Sequence, residues 1–181
     1  LKLKAGIAAI AVLSVLAIVG PTSASAKCTT GGMSPAEIDV CTPTAKARLL
    51  DSGIVIAPKS APPKVKAVIA AANKISRKPY IYGGGHARWW DKGYDCSGAV
   101  SYALKGGGFL TSPMPSGPME KFGIAGEGRW ITTYANPGHA YAVIAGIRWD
   151  TSGDSGGETG PRWHEDLRDN VGFVARHPAG Y

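Results

Sequence analysis

Apolar residues recur at helical spacing in two bounded stretches of the chain and in strand-like runs further on. Over residues 64–76, Val65, Val68, Ile69, Ala72 and Ile75 fall three or four apart and mark one buried stripe of an amphipathic helix. Pro62 and Pro63 precede it, Lys74, Arg77 and Lys78 suit the negative end of its dipole, and Pro79 stops it. Tyr80, Ile81 and Tyr82 form a short extended piece that runs into the turn Gly83, Gly84, Gly85 and a loop over 86–94. A second helix is predicted over 96–105, with Asp95 as N-cap, Cys96 in the first helical position and Gly106 to Gly108 ending it. Cys96, Ala99, Val100 and Ala103 share its packed face.

Beyond residue 108 the pattern changes to that of strands. Residues 129–133, 140–145, 147–151 and 171–176 are predicted strands, the middle two forming a hairpin about Gly146. The rest of 108–137 is Gly- and Pro-rich loop over one side of the domain, and 151–160 is a mobile Gly/Ser-rich loop. Helices followed by antiparallel strands predict an α+β domain, N-terminal helices packed on a small antiparallel sheet.

The N-terminal pattern is of another kind. Lys2 and Lys4, an apolar run over 5–20 and small residues Ala24 and Ala26 match a secretory signal peptide spanning 1–26. The run is shorter than the ~20 residues of a spanning helix, so no membrane attachment is expected after cleavage. Residues 27–63, with Pro35, Pro43, Pro58, Pro62 and Pro63, form an arm and linker with one modest helical stretch over 44–50. Cys28 and Cys41 in that arm are expected to form a disulfide suited to an exported protein, which leaves Cys96 as an odd thiol, buried and inert or kept for its reactivity. Residues 64–181 are then the functional domain.

Twenty Lys and Arg against thirteen Asp and Glu give a net charge of +7, and +5 without Lys2 and Lys4. That balance suits an anionic surface such as a cell wall or lipid headgroups. No basic run is interleaved with aromatics, so no nucleic-acid partner is expected. The spacing leaves the oligomeric state open.

The candidate chemistry lies in Cys96 and, forty-three residues on, His139 at the head of an apolar strand. A thiol at a helix start with an imidazole to pair with is the raw material of a Cys-His nucleophilic site. The predicted hairpin brings Asp150 back beside the His139 strand, in a register the sequence leaves open. The glycine turn at 83–85 lacks the Lys-Ser/Thr of a phosphate loop, and no His or Cys spacing supports a metal site, so no cofactor is expected. His86 is expected in a cleft or on the surface, His177 is expected to be exposed, and Trp89 and Trp90 either cap the core or wall a groove.

These residues carry a resemblance. Pro79-Tyr80-Ile81-Tyr82-Gly83-Gly84, Gly93-Tyr94-Asp95-Cys96-Ser97-Gly98, and Gly138-His139 before an apolar strand together resemble the NlpC/P60 family of papain-like cell-wall cysteine peptidases, over roughly residues 64–176. The resemblance implies a papain-like fold with Cys96 as nucleophile, His139 as general base and Asp150 as the third, orienting group. It implies that Tyr80 supports the oxyanion site, and Tyr82, Trp89, Trp90 and Ser97 are the candidate substrate-binding residues. His164 is the alternative third residue. The implied activity is hydrolysis of amide bonds in peptidoglycan stem peptides by a secreted, wall-associated enzyme. A CHAP-like or transglutaminase-like amidase or acyltransferase, or a non-catalytic wall-binding domain, are the rival readings. The chain departs from the family in a longer loop between Gly85 and Gly93, an acidic residue 150 and an unmatched 160–164 segment.

Overall fold

The computed structural model describes residues 45–153 and 160–181. The expected signal peptide, the Cys28–Cys41 bridge, the start of the arm and most of the 151–160 loop lie outside the described residues.

The described chain opens with a small antiparallel hairpin, β1 (Arg48–Leu49) and β2 (Val55–Ile56). A helix expected over 44–50 is therefore corrected to extended chain. Ala47 N–H is tied to the Ala145 carbonyl at 2.8 Å, Gly53 turns the chain at φ 75°, and the Asn73 amide holds Val55 through both its backbone groups. These tertiary hydrogen bonds outweigh a weak local helical preference. Ala47, Val55 and Ala61 from this stretch join the core.

Helix α1 (Pro63–Ile75) starts with Pro63 in its first position and buries Val65, Val68, Ile69, Ala72 and Ile75, the stripe foreseen. Helix α2 (Cys96–Gly106) packs across it, and α3 (Ser116–Met119) is one short turn. Six strands follow: β3 (Ile124–Ala125), β4 (Ile131–Asn136), β5 (His139–Ile144), β6 (Ile147–Asp150), β7 (Arg162–His164) and β8 (Val174–His177). They form one antiparallel sheet in the order β3-β8-β4-β5-β6-β7. The architecture is α+β, helices on one face of an antiparallel sheet. The strand expected over 129–133 begins and ends later, and β3, β7 and α3 were not expected.

The core lies between α1, α2 and the inner sheet face, where Ala140, Ala142 and Ile144 of β5 alternate with outward-facing His139, Tyr141 and Val143. Trp149 is fully buried and donates its indole N–H to the Ala99 carbonyl at 3.1 Å, pinning α2 to β6. Burial of a side chain of this size contributes about 1.5–3 kcal/mol or more.

Candidate active site

Four local devices converge on Cys96. Asp95 caps α2 from extended backbone, its Oδ1 accepting from Gly98 N–H at 2.7 Å, which fixes Cys96 at the first helical position. The segment before it is held by a parallel bridge between Tyr80 and Tyr94, with Tyr94 N–H donating to the Pro79 carbonyl at 3.1 Å. Glycines permit this close approach: a Cβ on Gly98 would stand 2.1 Å from the Gly84 carbonyl oxygen. At the β4–β5 turn, the Asn136 side-chain oxygen accepts from the N–H groups of Gly138 and His139, both at 2.9 Å, and so sets where β5 begins. The fourth device is the two-residue β5–β6 turn, with Ala145 at φ 48° and Gly146 at φ 78°, which pairs Ile144 with Ile147 and Val143 with Arg148. That register puts Asp150 on the same sheet face as His139; a slip of one residue would turn it into the core.

His139 Nε2–H donates to Asp150 Oδ1 at 2.9 Å, which leaves Nδ1 for the thiol. The His139 ring and the Ala140 backbone act on the Cys96 sulfur and favour its ionised form. Burial pushes the thiol up, yet the polar groups of His139 and Ala140 and the imidazolium charge prevail and hold it below its ordinary value. For His139, burial disfavours the charged form, but Asp150 and Cys96 together raise its pKa to about 9. The carboxyl of Asp150 is also pushed up by burial and pulled down more strongly by His139 and Arg168, so it remains ionised. The three groups are coupled through the imidazole, which favours its charged form and that of the thiol beside it, and their titrations belong to the set rather than to any one residue.

Asp150 has a full set of donors. Besides His139, its Oδ1 accepts from Thr151 N–H at 2.7 Å and Ser152 N–H at 3.2 Å, while Oδ2 accepts from the Arg168 guanidinium at 2.9 Å. The sequence reading missed Arg168, Ser152 and Asn136. They lie in turns or past a long loop, with no periodicity to flag them. His164, the alternative third residue, is buried on β7 opposite Arg148, whereas Arg162 is the partner of Asp150. The structure brings Asp150, not His164, to the imidazole.

A cavity of about 680 Å³ opens in front of Cys96. Tyr80, Tyr82, His86, Asp95 and Ser97 line one wall, and Ser116, Pro137 and Gly138 the other. Burial and the nearby Cys96 and Asp95 charges raise the Tyr80 pKa, so its phenol keeps its proton. His86 Nε2 lies 3.0 Å from Asp95 Oδ1 and 3.1 Å from Ser97 Oγ, so it belongs to the cleft. Trp89 and Trp90 do not line this cavity. Trp90 packs near Tyr102 under the Lys78 ammonium, and Lys105 lies over Trp89. Among the described residues no group of three His, Cys, Asp or Glu side chains could hold a metal ion.

No protein-family model and no curated protein matches the chain. Among solved structures it is similar to the P60 domain of an antigen from M. avium subspecies paratuberculosis, at 24% identity over 62% of this chain and 93% of that one, TM-score 0.47. It is similar also to RipB of Mycobacterium tuberculosis, described as a peptidoglycan hydrolase, at 25% identity over 69% and 74% of the two chains, TM-score 0.47. A third, RipD of the same organism, is described as a non-catalytic NlpC/p60 domain protein adapted to peptidoglycan binding, at 19% identity over 64% and 98%, TM-score 0.48. Two of these three are described as P60 or NlpC/p60 domain proteins, and the three include one described as a hydrolase and one as non-catalytic.

Proposed function

We propose that this chain is an NlpC/P60-type cysteine peptidase that hydrolyses amide bonds in the stem peptides of peptidoglycan. The observation that carries the reading is the His139 ring held between the buried Asp150 carboxylate at 2.9 Å and the Cys96 sulfur at the start of α2. A non-catalytic binding domain has no need of a depressed thiol paired with an imidazole.

In this reading the Cys96 thiolate attacks the amide carbonyl carbon. The oxyanion that forms is met by the Cys96 backbone N–H and the Tyr80 hydroxyl. The His139 imidazolium passes its Nδ1 proton to the departing amine, the C–N bond breaks, and a thioester remains. Water then attacks the thioester, giving one proton to His139; the C–S bond breaks, the thiolate–imidazolium pair is restored, and the product acid loses its proton to solvent to leave as a carboxylate. Asp150 keeps the ring in one tautomer and offsets the imidazolium charge throughout. The substrate class rests on the resemblance carried by residues 79–84, 93–98 and 138–139 and on the basic net charge. With residues 1–26 as a secretory signal, the enzyme works outside the cytoplasm at the wall, with residues 64–181 as its catalytic domain.

Digestion of purified peptidoglycan tests the reading. Soluble fragments with new amino groups and unbroken glycan strands are expected. New reducing ends without new amino groups, or binding without any release, would overturn it; binding without release would favour the non-catalytic alternative.

A further inference from the structure

The cation behind the carboxylate has no role in the chemistry above. Arg168 belongs to the 165–173 segment between β7 and β8, which meets Tyr141 of β5 through Arg168 and Phe173. Its Nη1 donates to Asp150 Oδ2 at 2.9 Å and to Ser152 Oγ at 3.2 Å. The guanidinium is stacked 5.2 Å over the Tyr141 ring and 5.5 Å from that of Phe173. Those two rings also flank His139, with centroids 6.4 and 6.2 Å from the imidazole. Arg168 therefore touches Asp150, Tyr141 and Phe173, three groups that meet the imidazole, and is separated from it by the carboxylate.

Resting on the cysteine-peptidase reading, we propose that Arg168 is a positioning residue which sets how firmly His139 holds its proton, by gripping Asp150 from behind and offsetting part of its charge. The imidazolium has two opposed duties: it must stay charged to keep Cys96 a thiolate, and it must release a proton to the leaving amine. An unopposed buried carboxylate would favour the first at the expense of the second.

The groups facing His139 support that balance. Cys96 approaches from α2, Tyr141 from its own strand and Asp150 from β6, with Arg148 of β6 beside Asp150. Arg148 Nη1 is 3.7 Å from Asp150 Oδ2, and its Nη2 is engaged by Asp166 at 3.2 Å. From the 165–173 segment, Asp169 acts on Tyr141, and Arg168 supplies the nearest cation to the carboxylate. Removing that cation leaves the net field at His139 more negative, so the ring holds its proton to higher pH.

The test reads the pH dependence of Cys96 alkylation, which needs no substrate, beside kcat and KM on peptidoglycan fragments. Arg168→Gln, with Arg168→Ala as a second neutral variant, should move the alkaline limb upward by about half a unit to one unit. It should also lower kcat several-fold with KM unchanged. Arg168→Lys, which keeps the charge, should restore the parent's limb. An unmoved limb in the neutral variants, an equal shift in Arg168→Lys, or collapse of the fold in both neutral variants would overturn the inference and leave Arg168 a structural residue. A parent thiol unreactive at neutral pH would instead sink the cysteine-peptidase reading itself, and the inference with it.

Discussion

At the scale of single residues, the Cys96–His139 pair was legible because both lie beside strong local signals: an Asp N-cap for one and an apolar strand for the other. Cys96→Ser should abolish turnover while leaving the fold in place, since a hydroxyl cannot ionise where the thiol does. His139→Ala should cost about 10²–10⁴-fold in rate. The pH profile of alkylation carries a sharper expectation. The thiolate should appear below the ordinary thiol value of 9.0, and reactivity should change again as His139 loses its proton near 9. Asp150→Asn should close this window from both sides. Without the carboxylate the ring releases its proton at lower pH, and with less imidazolium present the thiol ionises at higher pH. Kinetics across pH 5–10 check this, and an unchanged window would remove Asp150 from the site.

Among the elements, α1, α2 and the β5–β6 hairpin were legible because a strong periodicity or turn residue bounded each. The failures share a cause. The 45–50 stretch became strand through its tie to Ala145 and its pairing with Val55, itself held by Asn73, remote residues that no local pattern announces. β7 has three residues and β3 two, too few for a period to show. The join between α2 and the glycine turn gives the scale its own prediction. A Cβ on Gly98 would overlap the Gly84 backbone, at 2.1 Å, and also press on Asp95 Oδ1 at 3.1 Å. Gly98→Ala should therefore destabilise the protein by about 1–3 kcal/mol and shift Cys96 away from His139. Thermal melts and alkylation rates would show both effects; a variant with the parent's melting point would mean that the two segments are less tightly joined.

For the whole molecule, the charged centre beneath the sheet makes stability depend on pH. The Asp150 carboxyl is held below its ordinary value of 3.8, so its contribution is present above that pH and lost as pH falls through the folded-state value. Melting points of the parent and Asp150→Asn should accordingly differ most near neutrality and converge in acid. A gap that persists undiminished at pH 2 would refute that linkage. Which residues could do chemistry was determined by the sequence alone, because a helix cap, a buried strand and their order are written in local composition. Only the tertiary structure decided which carboxylate or imidazole stands third. That choice rests on the two-residue turn at Ala145 and Gly146 that fixes strand register, and on Arg168 returning to Asp150 from eighteen residues away. Register and long-range closure arise from many weak contacts summed across the sheet, and no short window of sequence contains them.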